Sequence, residues 1–290
     1  MRNIVLDGRD PLRQWRRTPV TTAAALLSLT LGIGASTAMF SLLNALLLKS
    51  LPVHDPQQLV TFTRPGSTNP LNFRLSYLMF DALRRDGGGL NGVAAYGEQP
   101  VNIAPAGQPA RNARALFVSG SYFGLLGVPA ARGRMLTGAD DDVAAPARVA
   151  VVSDAFWRGT LGADPDVVGR TIEIVHQPFT IVGVVDRRFL GLTIGQGFDV
   201  ALPVTSYDML YKEGRLKVGQ LSWLVTIGRL PAGAVMSEVE AGLQPVQARV
   251  IRGTPMPEVV AASLLKTPWR LMQTSTAMAG VRVSYQRPLL

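Results

Sequence analysis

From Thr18 to Leu48 the chain runs 31 residues without an Asp, Glu, Lys or Arg, and Ala, Leu and Ile dominate the stretch. A helix of that length extends about 46 Å, more than the roughly 30 Å hydrocarbon core of a bilayer. The pair Gly32-Ile33-Gly34 raises a rival reading, a nucleotide-binding glycine loop. That fingerprint needs a strand before it and a third glycine where this chain has Thr37, and Thr22–Leu29 is not strand-like. Asp55 at a suitable distance does not rescue it. The stretch therefore reads as a transmembrane helix over residues 19–48. Ser28, Gly32 and Ser36 recur every fourth residue, a stripe expected to let a second helix pack closely, although small residues are also simply tolerated in such helices.

Charge sets the expected orientation. Arg9, Arg13, Arg16 and Arg17 crowd the N-terminal flank with Trp15 as an interfacial anchor, and the 16 residues after Leu48 bring only Lys49 and Arg64. The positive-inside rule then puts residues 1–18 in the cytoplasm and everything after Leu48 outside. Signal-peptide cleavage is not expected, because the apolar run is about twice a normal h-region and no small-residue cleavage site follows it. Charged residues are only 17% of the chain, consistent with a membrane portion. The absence of cysteine excludes disulfide and thiol chemistry without fixing a compartment. The net charge of +9 lacks the stacking aromatics of a nucleic-acid surface, so nucleic acid is not an expected partner and membrane lipid is.

Beyond Leu51-Pro52 the pattern becomes that of an α+β domain. The alternation predicts strands at Leu59–Thr63, Asn91–Ile103, Ala113–Val118, Arg148–Val152 and Leu221–Leu230, and a hairpin of Thr171–Val175 with Phe179–Val185 around His176-Gln177-Pro178. Helices are expected after the N-caps Ser76 and Ser153, the first stopping at Gly87-Gly88-Gly89. Another is expected after a Ser237–Glu240 capping box, with Leu243, Val246 and Val250 inward and a kink at Pro245. Val259–Leu265 reads as the strand closing a second β-α-β unit, and the segment after Thr267 as polar and irregular. Two β-α-β units thus bracket a strand-rich middle, an inserted lobe.

Chemistry is sparse. His54 and His176 read as exposed turn residues, and Asp140-Asp141-Asp142 as a solvated loop without the alternation of a calcium-binding one. Gly162–Thr171 has the wrong spacing for a phosphate loop and Arg170 where the lysine belongs. Ser263-Leu-Leu-Lys266 matches an S-x-x-K nucleophile motif, yet Ser153-Asp154-Ala155 and Lys266-Thr267-Pro268 fail as its partner motifs. No catalytic residue, cofactor or metal site is expected.

An ordered series of segments resembles a known family. Thr30–Ser41 with Leu46–Pro52 is similar to the first membrane helix of MacB/FtsX-type ABC transporter permeases, with the flavour of the duplicated orphan permeases of acidobacteria. Val118–Val128, Gly133-Arg134, Val149–Ser153 with Trp157, Asp164-Pro165 with Val168–Thr171, Val182–Val184 and Phe189–Gly191 resemble the periplasmic core of that family. The resemblance implies a two-lobed periplasmic domain over 52–266, porter-like β-α-β units around the insert. It also implies a cytoplasmic amphipathic elbow over 1–18 using Leu6, Leu12 and Trp15. Residues 267–290 would return towards a second membrane helix that this sequence does not contain, making the chain an N-terminal portion. The implied work is relay of ATP-driven conformational change at the bacterial inner membrane, with other permease helices or a second protomer and a separate cytoplasmic ATPase as partners. A single-pass anchored binding or sensor protein is the alternative, and an anchored hydrolase resting on Ser263 and Lys266 a more distant one.

Orientation is directly testable. Alkaline phosphatase fused after Leu290 should be active, and replacing Arg13, Arg16 and Arg17 with Glu should weaken that signal. Activity from a cytoplasmic reporter at the same position would put the domain inside the cell.

Overall fold

The computed structural model describes residues 19–47, 52–67, 73–105, 107–192 and 197–274. The chain divides into two compact units, one through Lys49 and one from Ser50 onward.

In the first unit, helix α1 spans Pro19–Leu47. Its hydroxyls turn back on its own backbone: Thr37 Oγ1 donates to the Ile33 carbonyl at 2.7 Å, and Thr30 makes the same bond to Leu26. Such bonds spare an apolar helix unpaired polar groups. Among the described residues no helix is long and apolar enough to cross a membrane. The helical part of the sequence expectation is present over Pro19–Leu47.

The second unit is a mixed α/β domain on one ten-stranded sheet. Its first part is β1 (Leu59–Thr63), α2 (Tyr77–Asp86) and β2 (Val93–Pro105). Its last part is β9 (Val225–Arg229), α6 (Met236–Gly253), α7 (Glu258–Lys266) and β10 (Arg270–Gln273). Strand β9 lies antiparallel between β1 and β2, and β1 lies antiparallel between β9 and β10. These are two interlocked split β-α-β units in the spatial order β10-β1-β9-β2. Phe80 and Leu83 of α2 join Leu243 and Val246 of α6 in one buried cluster over this sheet.

Between β2 and β9 come β3 (Arg111–Val118), α3 (Tyr122–Leu126), β4 (Ala130–Gly133), β5 (Val149–Val152), α4 (Asp154–Gly159), β6 (Thr171–Ile174), β7 (Gln177–Val185), β8 (Val200–Pro203) and α5 (Tyr207–Tyr211). Six strands close a circuit, since β2 pairs β3, β3 pairs β8, β8 pairs β5, β5 pairs β7, β7 pairs β6 and β6 returns to β2. Alternate residues of the circuit, among them Ile103, Phe117, Val152, Ile174, Phe179 and Ile181, belong to the same core as the α2/α6 layer. A second core on the other face gathers Tyr96, Leu116, Val118, Ala201 and Ile227 with Tyr122, Phe123 and Leu126 of α3. The bracketing read from the sequence is therefore present, but the insert is not a separate lobe: its strands continue the same sheet.

Strand β2 makes this continuity possible. One edge pairs β3 over Tyr96–Ile103, while the other pairs β9 over Val93–Tyr96 and β6 over Ile103–Pro105. Ala95 bonds to Ser119 on the β3 side, whereas the Asn102 carbonyl accepts from Val175 on the opposite side. Even-numbered residues of β2 thus face the divided edge. Pro100, which has no N–H to donate, faces the gap between β9 and β6, and its carbonyl accepts from the Tyr211 hydroxyl at 3.2 Å.

Local signals that carry a backbone-satisfying side chain agree with the sequence. Ser76 accepts from Met79 N and Ser153 from Phe156 N, and Gly87 takes a φ of 80° at the end of α2. Other expectations need correction. The β6–β7 turn is Val175-His176, with φ of 48° and 60°, and Gln177 and Pro178 already belong to β7. A β-branched residue is strained there; Val175 is held by its N–H bond to Asn102 on β2. Ser237 is not a cap: α6 begins at Met236, and Glu240 accepts from Leu271 N at 2.6 Å, pinning β10. Val259–Leu265 forms α7 rather than a strand, and the segment after Thr267 supplies the true closing strand, β10. Buried Gln247 of α6 explains this, since its amide donates to the Leu264 and Thr267 carbonyls at the end of α7 while its oxygen accepts from Trp269 N.

The acidic loop is not solvated either: Asp140 and Asp141 are buried. Asp140 closes a capping box with Thr137 and takes two hydrogen bonds from Arg134. Burial works against its ionisation, but the bonds from Arg134 and Thr137 outweigh it and hold the carboxyl below its usual range. Asp141 accepts from Gly120 N at 3.1 Å, and burial pushes its carboxyl up, against the Gly120 N–H and the Arg84 charge. The two neighbours act oppositely on stability. Asp140 contributes stability above the unfolded carboxyl value of about 4, lost as pH falls through its lower folded value. Asp141 is favourable when protonated and detracts progressively as pH rises from about 4 through its raised folded value. Melts from pH 3 to 8 should show Asp140→Asn destabilised and Asp141→Asn stabilised at neutral pH, both differences shrinking in acid. Parallel curves for both variants would refute the assignment.

Candidate functional site

The feature that the fold builds with most care is where the chain comes into the second unit and where it leaves. The incoming loop, Pro52–Gln58, is short and polar, yet it is fixed from several sides. His54 N donates to the Leu126 carbonyl at 2.9 Å, and Leu230 N donates to Gln58 at 2.9 Å. Asp55 turns the chain with a φ of 39° into a single 3-10 turn over Pro56–Gln58. Gly127, with φ of 66° at the end of α3, is required here, because a Cβ would lie 2.6 Å from the His54 Cβ.

Arg229, the last residue of β9, holds this loop. Its side chain is buried and donates to three backbone carbonyls: Nη2 to His54 at 2.8 Å, Nη1 to Asp55 at 3.2 Å and Nε to Leu125 at 3.2 Å. Burial lowers the guanidinium pKa, with the nearby Asp55 charge acting against it. An arginine keeps its charge through this and has five N–H donors in a planar fork, which suits a convergence of carbonyls. One side chain thereby ties the incoming loop, the end of α3 and the centre of the first sheet segment together.

The last described strand ends beside the incoming loop. β10 runs antiparallel to β1, Thr274 N donates to the Leu59 carbonyl at 2.8 Å, and the Thr61 and Thr274 hydroxyls meet at 2.7 Å in a buried position. The Gln273 amide donates to the Gln57 carbonyl at 2.9 Å, so incoming loop and outgoing strand also touch directly.

The residues singled out from the sequence fall elsewhere. Arg13, Trp15, Arg16 and Arg17 lie outside the described residues. Ser28, Gly32 and Ser36 share an exposed face of α1, where they line a shallow groove with Leu29, Ile33 and Thr37. His54 and His176 have exposed side chains in turns. Gly162 and Gly169 serve turns of positive φ in a loop where Asp164 accepts the Trp157 ring N–H at 2.8 Å and pairs with Arg170. Ser263 and Lys266 stand on α7, with Lys266 at a helix end rather than a strand end. Among the described residues no group of His, Asp and Glu could hold a metal ion. Arg229 was missed by sequence reasoning; its signal was a lone charge inside the apolar run Val225-Thr-Ile-Gly-Arg-Leu230.

Arg229→Met keeps the apolar stem but removes every donor. Each orphaned carbonyl should cost roughly 1–3 kcal/mol. Hydrogen exchange at the His54 and Leu230 amides should accelerate well before that of Leu116 in β3. Uniform acceleration across the domain would mean that Arg229 supports the core generally rather than this loop.

The family described as MacB-like periplasmic core domain matches residues 22–246. A search of curated proteins finds no match. The fold is similar to the periplasmic region of MacB from Actinobacillus actinomycetemcomitans, at 14% identity and a TM-score of 0.54, covering 76% of this chain and 91% of that one. It is also similar to a domain of a putative permease protein from Porphyromonas gingivalis, at 15% identity and a TM-score of 0.55, covering 76% and 92%. Those identities speak for the fold alone. The family match spans more than three quarters of the sequence and begins inside α1, and by it this chain belongs to the MacB-like periplasmic core domain family, as its resemblance to MacB/FtsX-type ABC transporter permeases implied.

Proposed function

We propose that this chain is a permease-type subunit of a MacB/FtsX-like ABC transporter, held in the bacterial inner membrane by α1, with its N-terminus cytoplasmic and its domain in the periplasm. The observation that carries the reading is the adjacency of β1 and β10. The loop that leads into β1 and the end of β10 lie together at one end of that strand pair. A displacement delivered through the incoming loop is passed through Arg229 to β9 and α3, and through β1 to the outgoing strand. The chain has no need of chemistry of its own for this: the energy comes from ATP turnover on a separate cytoplasmic ATPase, and the domain transmits movement. The anchor rests on the 31 uncharged residues, whose helix exceeds a bilayer core in length, and on the arginines at its N-terminal flank. On α1, the face of Ser28, Gly32 and Ser36 is open, with nothing packed within 4 Å of a Cβ placed on Gly32, and it would accept another permease helix or a second protomer.

Affinity purification of the full chain from its native membranes should recover an ABC-type ATPase whose ATP turnover falls when Arg229→Met replaces the wild-type chain. Recovery without any ATPase, or turnover indifferent to the substitution, would overturn the relay and favour an anchored binding or sensor protein.

A further inference from the structure

A cleft of about 310 Å³ opens at the far end of β1 from the incoming loop, lined by Arg64, Phe73, Arg74, Ser222, Ser263, Leu264, Thr267 and Trp269. Its lining divides by chemistry. Arg64 and Arg74 supply two exposed guanidinium groups to the same lining. Arg74 is positioned by a bond from Nη1 to the Trp223 carbonyl at 2.9 Å, which leaves its remaining N–H donors free to turn to a ligand. Ser222, Ser263 and Thr267 add hydroxyls to the lining, those of Ser222 and Ser263 at exposed positions. Phe73, Leu264 and Trp269 provide the apolar part, and Trp269 is fixed edge-on against Phe62 at 5.7 Å.

Two guanidinium groups, three hydroxyls and an apolar wall converge in a space of the size that small ligands occupy, roughly 300–1,000 Å³. We propose that this cleft binds a small amphipathic anion, a phosphate monoester or carboxylate carried on an apolar body. Its oxyanion would lie between Arg64 and Arg74, with Ser222 and Ser263 as further donors, and its apolar portion would rest against Phe73 and Leu264. Guanidinium forks match the planar geometry of such oxyanions and form the stronger, charge-assisted class of hydrogen bond. Ser263, the serine of the S-x-x-K string, then acts as a donor to the ligand and not as a nucleophile. The proposal stands apart from the relay reading, since it concerns the opposite end of β1 and needs no ATPase.

The test is calorimetric titration of the full chain in zwitterionic-lipid nanodiscs, with empty nanodiscs as the blank, using hexyl phosphate, inorganic phosphate and hexanol as probes. Hexyl phosphate should bind at one site, at least tenfold more tightly than either of the others. Arg64→Gln, at an exposed position that can be changed without disturbing the core, should weaken it about tenfold, and Ser263→Leu, which fills the cleft from an exposed helix face, should abolish it. Arg64→Lys should restore part of the loss. Inorganic phosphate binding as tightly as hexyl phosphate would overturn the amphipathic assignment. Hexanol binding as tightly would overturn the anionic one. Binding unchanged in both Arg64→Gln and Ser263→Leu would place the ligand elsewhere and end the proposal.

Discussion

Strand β2 is thirteen residues long, and the two parts of the domain meet along it because its two edges are used differently. One edge pairs β3 alone. The other is shared, with β9 at the start and β6 at the end, and the interval between them is where Pro100 sits. A strand with a single partner on each edge would sit inside one open, twisted sheet. Divided in this way, β2 is at once the last strand of the interlocked β-α-β pair and the first strand of a closed six-strand circuit. Closure removes edges that would otherwise invite pairing with other chains. It also gives the circuit and the helical layer a common core, which is why Phe179 of the insert and Phe80 of α2 belong to one buried cluster.

Buried polar side chains do the joining that strand pairing leaves undone. Gln247 bonds to the end of α7 and the start of β10, Glu240 to the β10 backbone, and Arg229 to the incoming loop and the end of α3. Each bonds to backbone groups at element ends or edges, where an unmet group in a low-dielectric interior is costly. Each spans two elements far apart in sequence. These contacts are consequently specific to one arrangement of helices and strands, whereas the apolar core would tolerate several.

Legibility in the sequence followed the range of the interaction. The helix of Tyr77–Asp86 was readable because Ser76 and Gly87 terminate it within its own neighbourhood, and the alternation of β6 and β7 was readable because each residue reports its own face. Val259–Leu265 misled, because a short apolar run fits a buried strand or a half-buried helix equally well. What decides it is Gln247, more than ten residues upstream and unremarkable in composition. The Ser237–Glu240 pair had the pattern of a capping box, but Glu240 found a better donor in Leu271 across the helix–sheet interface. Asp140 and Asp141 read as solvated because three adjacent acids are usually so; their burial depends on Arg134, Thr137 and Gly120, whose approach only the tertiary fold brings about. Arg229 belongs to the same class, a single residue whose partners lie more than a hundred positions away.

The neighbouring positions of Leu59 and Thr274 have a consequence for how such a domain can be assembled into larger proteins. Two points of the chain held about one strand spacing apart, near 5 Å, ask almost nothing of segments joined to them. A body of more than two hundred residues can then be spliced into a short connection between two helices without spreading those helices apart. Its bulk, and the lengthening or trimming of its insert, then leave the spacing of the segments on either side unchanged.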